Sequence, residues 1–425
     1  MREMKETGVV WLPVIPTNWN IDRVKNSFTI SKDLSPENNP TVLKLARSGV
    51  QVKDVTTNEG QMAASYDNYN KVQPGDLLLN PMDLYSGANC NVSEISGVIS
   101  PAYANLRPNG NVNSKFFDYY FKIQYWTMAM FAHGKGVSYD NRWTINNDSI
   151  KNYEIPVPSF EEQGIIVEHI NAGTKKVDAL IANQEQQIEK LKAYKQSLIT
   201  EVVTKGLNPD VPMKPSGVEW IGEIPEHWGT PKIKYYCSIE SGGTPIRTEP
   251  TYWNGTIPWL KTGELMNNEI FSSTEKITEL GLECSSAKVF PINTILMAMY
   301  GQGKTRGMTG LLKIPCATNQ ACVGITLKDN RTFDVYFLWW CLKGAYDSIR
   351  KRAVGSGQPN LSGELVSGFE ITLPTMEEQV QIVEYLDEKC AKIDRLIEIK
   401  QQKIDKLNDY KKSLIYEYVT GKKEV

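Results

Sequence analysis

Apolar residues recur every seven positions in two stretches of this 425-residue chain, and the second stretch lies 216 residues after the first. The first stretch carries Ile170, Val177, Gln184, Leu191 and Leu198, with Leu180, Gln187 and Tyr194 at the matching d positions and Ile181 and Ile188 beside them. The second carries Ile393, Lys400, Leu407 and Leu414, with Leu396 and Tyr410 at d positions and Ile397 and Ile404 beside them. This pattern predicts two helices of about 30 residues, roughly 45 Å long, packed on each other. Two surface helices that never meet are the alternative.

Both predicted helices begin after the same motif. Residues 154–163 read Glu-Ile-Pro-Val-Pro-Ser-Phe-Glu-Glu-Gln, and residues 370–379 read Glu-Ile-Thr-Leu-Pro-Thr-Met-Glu-Glu-Gln. From there the two copies continue without a gap for roughly 50 residues, of which about half are identical. The motif predicts a capping box whose members are Ser159 with Glu162 and Thr375 with Glu378.

A second repeat precedes each globular region. Gly-Val-x-Trp-x-x-x-Ile-Pro-x-x-Trp occurs at residues 8–19 and again at residues 217–228. A duplicated chain of this length is pseudo-twofold, which suits a target that also has two halves.

Between the repeats, short apolar runs bounded by turn residues predict strands, for example residues 76–79, 294–299 and 322–327. Aromatic-rich stretches at 116–130 and 333–351 predict helices. Each globular region is therefore expected to be a compact α+β domain. The predicted segments are a first globular region at 1–153, a first long helix at 154–206, a linker and lead-in at 207–228, a second globular region at 229–369, and a second long helix at 370–425.

Composition limits the classes of function. The chain is 41% hydrophobic and 23% charged with a net charge of −2, so any contact with a polyanion must be local or completed by a partner. Its seven cysteines form no Cys-x-x-Cys pair, which favours a reducing cytoplasm, and its three histidines are too dispersed for a metal site. No apolar run approaches the roughly 20 residues of a membrane span, and the N-terminus carries no signal-peptide pattern.

Known catalytic motifs are mostly missing. Residues 298–305 fit a phosphate-loop pattern, but two glycines follow within five residues, which favours a hairpin over the helix that phosphate binding needs. Residues 80–83 and 100–103 are similar to the Asn-Pro-Pro-Tyr loop of amino-methyltransferases, yet both lack its second proline and no glycine-rich cofactor loop lies upstream. We therefore predict a non-enzymatic protein without a metal or cofactor of its own.

Nucleic-acid contact is better supported. Residues 229–368 contain 15 basic and 11 acidic side chains, a surplus of four positive charges. Turn-like segments at 301–307 and 350–360 combine glycine with Arg, Lys, Gln and Asn, the side chains that contact phosphates and base edges. Segments 80–87 and 133–142 occupy the equivalent places in the first region. Ordinary polar surface turns are the alternative. The predicted DNA contacts are Asn80, Asp83, Tyr85, Ser86, Lys135, Tyr139, Asn141, Arg142, Thr244, Lys261, Tyr300, Gln302, Lys304, Thr305, Arg306, Arg352, Ser356, Gln358 and Asn360.

The chain resembles the specificity subunit of type I restriction–modification enzymes along essentially its whole length. The residues that carry the resemblance are the two Ile-Pro-x-x-Trp lead-ins, Ser-Gly-Gly-Thr-Pro at 241–245, Ile-Pro-Trp at 257–259, Gly-Ser-Gly-Gln-Pro-Asn at 355–360 and the two Pro-x-x-Glu-Glu-Gln helix starts. The first globular region lacks the Gly-Gly-Thr-Pro element, so the two regions are expected to read different sequences.

The resemblance implies that each globular region is a target recognition domain for one half of a split double-stranded DNA site. The two helices would form an antiparallel coiled-coil spacer that sets the gap and docks two modification (methyltransferase) subunits. Those partners would bind S-adenosylmethionine, and a restriction (translocase) subunit would use ATP and magnesium. A coiled-coil adaptor that binds proteins and a fused DNA methyltransferase are the alternatives.

Overall fold

The computed structural model describes residues 2–34, 40–56, 63, 65–85, 89–136, 143–301, 303–353 and 360–425. The chain divides into two compact units. The first unit comprises Met1–Glu185 with Gln402–Val425, and the second comprises Gln186–Gln401. Each unit is an α+β domain, as the sequence predicts, and each contains part of both long helices.

The first unit is built on an antiparallel four-stranded sheet with the order β4-β11-β8-β9. Its core is aromatic, because Phe116, Phe117, Tyr120 and Phe121 of helix α2 are completely buried. The strands are β1 (Met4–Val9), β2 (Leu12–Pro16), β3 (Asn20–Arg23), β4 (Phe28–Ile30), β5 (Leu43–Ala46), β6 (Gly49–Val52), β7 (Asn70–Val72), β8 (Leu77–Leu79), β9 (Cys90–Val92), β10 (Gly97–Ile99), β11 (Ala104–Pro108) and β12 (Glu154–Val157). The helices are α1 (Val24–Ser27), α2 (Ser114–Trp126), α3 (Asn147–Lys151) and the start of α4 (Phe160–Lys205).

The second unit contains a five-stranded sheet, β15-β23-β20-β21-β17, and a four-stranded sheet, β18-β16-β22-β19. Its strands are β13 (Met213–Pro215), β14 (Glu223–Pro225), β15 (Cys237–Ser241), β16 (Trp253–Leu260), β17 (Asn268–Ile270), β18 (Glu275–Ile277), β19 (Val289–Phe290), β20 (Ile295–Ala298), β21 (Thr309–Leu312), β22 (Cys316–Thr318) and β23 (Cys322–Leu327). Its helices are α5 (Glu279–Glu283), α6 (Val335–Gly344), α7 (Tyr346–Lys351), α8 (Gly363–Ser367) and most of α9 (Met376–Val419).

Strands β8, β20 and β23 confirm the three apolar runs that the sequence predicts as strands. The predicted helix at 333–351 is instead two helices, α6 and α7, which are separated at Ala345. Side chains of α4 satisfy the carbonyls at the end of α6, so that these need no partner further along the helix. Thr200 Oγ1 donates to Gly344 O at 2.9 Å, and Gln196 Nε2 donates to Lys343 O at 3.0 Å. The predicted helix at 116–130 ends at Trp126 and is followed by a 3₁₀ turn.

The long helices exceed the predicted length, with 46 residues in α4 and 44 in α9. They pack antiparallel within each unit, which confirms the predicted pairing. In the first unit Lys411 Nζ lies 2.6 Å from Asp178 Oδ1, and a methyl group added at Gly173 would lie 2.6 Å from Leu414 Cδ2. In the second unit Lys195 Nζ lies 2.6 Å from Asp394 Oδ2.

Of the predicted d positions, Gln187 does face the partner helix, where its Oε1 accepts a hydrogen bond from Lys400 Nζ, but the leucines and tyrosines do not. Leu180, Tyr194, Leu396 and Tyr410 are 47%, 58%, 47% and 54% exposed. On the line four residues after each predicted a position, Ile188 and Ile404 are buried, and Ile181 and Ile397 are half-buried. Apolar residues stand at both spacings, so periodicity alone could not decide which line faces the partner helix.

The repeated motif before each helix forms a joint with its domain. Gln163 and Gln379 are 1% and 0% exposed. Gln163 Oε1 accepts from the backbone N–H of Asn113, the N-cap of α2, at 2.9 Å, and Gln379 Oε1 accepts from that of Asp334, the N-cap of α6, at 2.8 Å. The predicted capping box is complete in the second copy, where Thr375 Oγ1 accepts from Glu378 N and Glu378 Oε2 accepts from Thr375 N.

The repeated lead-ins are strand pairs that support the same joints. Strands β1 and β2 pair with Met4 opposite Pro16, and β13 and β14 pair with Met213 opposite Pro225, so the predicted linker at 207–228 contains a hairpin. The indole N–H of Trp220 donates to Glu370 O at 3.1 Å, and that of Trp11 donates to Glu154 O at 3.4 Å. Each tryptophan therefore holds the chain just ahead of a long helix.

Candidate nucleic-acid interface

Three segments of the second unit emerge at one end of its five-stranded sheet. Strand β23 pairs antiparallel with β20, Ala298 opposite Cys322, and with β15, Ser241 opposite Val323. The chain after β15, the chain after β20 and the chain before β23 must therefore meet. This end of the sheet gathers the predicted contacts Thr244, Tyr300, Lys304, Thr305 and Arg306.

The segment after β20 is a hairpin tip, which we call the glycine loop (residues 299–301 and 303–308). Strands β20 and β21 are antiparallel, and Gly307 N donates to Ala298 O at 2.8 Å. Gly303 and Gly307 have φ values of 60° and 84°, which side chains other than glycine rarely adopt. The predicted hairpin is confirmed, and the helix start that a phosphate loop requires is not formed. Lys304 and Tyr300 are exposed.

The second predicted segment lies against the glycine loop. On α7, Arg350 Nη2 donates to Gly303 O at 2.8 Å and Nη1 donates to Arg306 O at 3.1 Å. Leu361 N donates to Met299 O at 3.1 Å, which brings the chain at Asn360 to the same place. The structure thus joins two segments that the sequence identifies separately.

Gln320 belongs to this surface and is absent from the predicted contacts. It is exposed in the turn between β22 and β23, and its Oε1 accepts a hydrogen bond from Thr244 Oγ1. The adjacent Asn319 Oδ1 accepts from Thr262 Oγ1 at 3.2 Å. The available signal was an Asn-Gln pair in the turn between two buried strands, since amide side chains can bind a base edge. Asn319 also has a structural role there, because its Oδ1 accepts from Ala321 N at 3.1 Å.

The Gly-Gly-Thr-Pro and Ile-Pro-Trp motifs form the buried contacts that support this surface. Trp259 is 1% exposed and its indole N–H donates to Gly243 O at 3.0 Å. A methyl group added at Gly242 would lie 2.3 Å from Thr318 O, so glycine is needed for the close approach of the two chains. These motif residues hold Thr244 beside Gln320.

Two predicted contacts of the second unit are engaged by carboxylates. Arg352 Nη2 lies 2.9 Å from Glu370 Oε2, and its guanidinium lies 4.6 Å from the Phe369 ring centre. Lys261 pairs with Glu275, which also binds Arg247. Burial raises the pKa of the Glu275 carboxyl, but the hydrogen bonds from Lys261 and Arg247 outweigh it and lower that pKa below its ordinary value. Glu275 therefore stays ionised and neutralises part of the local charge.

The first unit brings its two predicted segments together at the corresponding sheet end. After β8, Asn80 Oδ1 accepts from Met82 N at 3.0 Å, and Asp83 has a φ of 49°. Leu84 N donates to Trp143 O at 2.9 Å, while Lys135 pairs with Thr144 through both backbone groups. Tyr85 is 60% exposed. Asn80, Asp83, Tyr85 and Lys135 thus lie in two segments that contact each other.

A groove beside this loop is lined by the predicted contact Tyr85 and by further residues that the sequence interpretation overlooked. Tyr85, Asn89, Lys122 and Trp126 line it together with Arg47. Trp126 is 43% exposed at the end of α2. Lys122 Nζ lies 2.8 Å from Asp118 Oδ2. The predicted contacts Ser86, Tyr139, Asn141, Arg142, Gln302, Ser356 and Gln358 lie outside the described residues.

Comparisons with known proteins find similarity to type I restriction specificity subunits. The family model described as the type I restriction modification DNA specificity domain matches residues 225–409. The chain is 31% identical over 185 residues to the type I restriction enzyme MjaIX specificity subunit of Methanocaldococcus jannaschii, a match covering 43% of this chain and 41% of that protein. It is 26% identical to the MjaVIII specificity subunit of the same organism over 83% of this chain and 81% of that protein.

A solved structure has the same fold. A chain from a study of complex assembly and conformational transition of the type I R-M system superposes with a TM-score of 0.70, at 16% identity, covering 95% of this chain and 98% of that chain. Among the described residues, no helix combines the length and the apolarity needed to cross a bilayer.

Proposed function

Because the chain belongs to the family of type I restriction–modification specificity subunits, we propose that each of its units reads one half of a split DNA site. The observation that carries the proposal is the repeated arrangement of the two sheets. In both units the segment that follows a central strand, β8 or β20, contacts a later segment of the chain at the same sheet end. Tyr85 and Lys135 lie in these two segments of the first unit, and Lys304 and Arg350 lie in those of the second. Equivalent placement with different side chains suits two readers of different sequences.

The side chains of the second unit provide both kinds of contact that DNA recognition uses. Lys304 is exposed on the glycine loop and suits a phosphate or a guanine edge. Gln320 and Asn360 carry amides, which bind adenine through two hydrogen bonds in the major groove. In the first unit, Asn80 offers the same chemistry.

We assign methylation of adenine, with S-adenosylmethionine, to two modification subunits, and DNA translocation with ATP and magnesium to a restriction subunit, all in the cytoplasm. The chain itself performs no catalysis. Helices α4 and α9, which belong to both units, dock the modification subunits and set the gap between half-sites.

Mapping methylated adenines in the genome of a host that carries the complete system tests this proposal. The expected result is one asymmetric site with two specified halves and a constant unspecified gap. Removing seven matched residues from both α4 and α9 should then change the gap and leave the two half-site sequences as they were. A methylation pattern with a single continuous site, or none that depends on this chain, would contradict the proposal.

The two alternatives predict other results. A fused methyltransferase would bind S-adenosylmethionine as an isolated chain, whereas we expect binding only when modification subunits are present. A protein-binding adaptor would leave the complex with equal affinity for all duplexes. The comparisons favour neither alternative.

A further inference from the structure

We propose that Arg350 is a positioning residue that determines sequence discrimination by the second unit, because it fixes the conformation of the glycine loop. This inference rests on the proposed role of that loop in DNA recognition. In the sequence, Arg350 lies at the start of the basic segment 350–360, where DNA contacts are predicted. The structure turns its guanidinium towards the protein instead.

Arg350 and Tyr346 form a two-residue clamp on α7. Arg350 donates to Gly303 O, to Arg306 O and, at 2.7 Å, to Tyr346 Oη. Tyr346 Oη in turn donates to Lys304 O at 2.5 Å. The two side chains are four residues apart and therefore share one face of the helix. Together they bind three carbonyl oxygens within four consecutive residues of the loop.

The glycine loop depends on such support. Gly301, Gly303 and Gly307 all have positive φ values, and glycine samples more backbone conformations than any other residue. Without the clamp, Lys304 and Thr305 would be displayed by a segment with many accessible conformations, and a precise contact with a base would lose its geometry. Three of the five N–H groups of Arg350 are used within the protein, so a direct DNA contact is the weaker explanation of its charge.

The packing around the clamp supports this role. A Cβ added at Gly307 would lie 3.2 Å from Arg350 Cγ, and the Arg350 guanidinium lies 5.2 Å from the Tyr346 ring centre. Arginine is required because its planar fork can bind two carbonyls in a fixed relation, whereas the single ammonium of lysine cannot reproduce that geometry. Arg350→Lys therefore keeps the charge and removes the clamp.

The test uses the complete chain assembled with its modification subunits, on duplexes carrying the methylated site mapped above. Affinities are compared for the intact site, for a duplex with the first half-site replaced and for one with the second half-site replaced, over a series of salt concentrations. We expect Arg350→Lys to lower discrimination at the half-site read by the second unit by about tenfold, which is within the range of one bidentate base contact. Discrimination at the other half-site and the salt slope should stay unchanged. Tyr346→Phe, which removes the phenol and keeps the ring, should act in the same direction with a smaller effect.

Arg331→Lys is the matched control, because Arg331 is exposed in the turn before α6, beyond the opposite end of β23. Equal loss of discrimination at both half-sites, with a lower melting temperature, would assign Arg350 to stability and overturn the inference. Unchanged discrimination in both the Arg350 and the Tyr346 variants would overturn it as well. A wild-type complex that binds all duplexes equally would instead contradict the proposed function itself.

Discussion

The two loops at corresponding sheet ends of the two units are held by different means. In the second unit, side chains of Arg350 and Tyr346 bind the carbonyls of the glycine loop. In the first unit, the segment after β8 is held by two backbone pairs, Leu84 N with Trp143 O and Ile145 N with Pro81 O, and by the phenol of Tyr125, which donates to Asn80 O at 2.9 Å. The scaffold repeats, while the support of each loop is particular to its unit.

The long helices differ from the loops in this respect. The ion pair between Asp178 and Lys411 in the first unit recurs in the second as Asp394 with Lys195, since both partners are repeated 216 residues apart. The buried Gln163 and Gln379 are equally repeated. The two copies thus keep the same residues within the helix pair and where helices join domains. They differ in the segments that are proposed to read the DNA sequence. Three further measurements test this contrast.

The largest effect is expected at the joints. Gln163→Ala and Gln379→Ala each leave buried backbone partners without a hydrogen bond, so each should lower the free energy of unfolding by about 2 kcal/mol. Denaturant unfolding of the complete chain, followed by tryptophan fluorescence, measures this. Exposed glutamines on the same helices provide the controls, Gln186→Ala and Gln381→Ala. Unequal costs for the two buried glutamines would show that the joints are not equivalent.

A smaller effect is expected at the loops. If Lys304 contacts a phosphate, Lys304→Ala should weaken binding of the assembled complex to all duplexes and lower the magnitude of its salt slope by about 0.9. Lys135→Ala tests the corresponding segment of the first unit. Lys328→Ala, beyond the opposite end of β23, is the control and should leave the slope unchanged. A wild-type slope for the Lys304 variant would remove that residue from the interface.

The smallest effect is expected from the repeated ion pairs. Asp178 and Asp394 are largely exposed, with side chains 53% and 56% accessible. Asp178→Asn and Asp394→Asn should each lower the free energy of unfolding by less than about 1 kcal/mol, and the two costs should agree. Unfolding at low and at high salt measures both, since salt should reduce the difference from wild type. A cost of several kcal/mol at either site would indicate a much less hydrated pair than the structure has.

Local patterns were sufficient to predict much of this molecule. Apolar runs bounded by turns identified β8, β20 and β23, and the two glycines after Lys304 predicted the hairpin. The heptad repeat predicted the helix pair but placed Leu180 on the wrong face, because both spacings offered an apolar residue. Which line is buried depends on the partner helix, and that information is not local.

The candidate site was predictable only in part. Glycine next to Lys, Arg and Asn identified the loops, but the contact of Arg350 with the carbonyl of Gly303 spans 47 residues of sequence. Gln320 was missed because its importance comes from strand order, which places the turn before β23 beside Thr244. Long-range pairing decides which polar residues share a surface, and composition does not report it.

The joints at Gln163 and Gln379 have a consequence for how such a chain can change over time. Each glutamine contacts a backbone N–H at the first turn of a domain helix, a group that almost any residue supplies. A replacement domain therefore needs only a helix whose N-cap backbone N–H can donate to the existing glutamine. A new DNA sequence preference can arise by exchange of a whole recognition domain, while the glutamine joint remains the same.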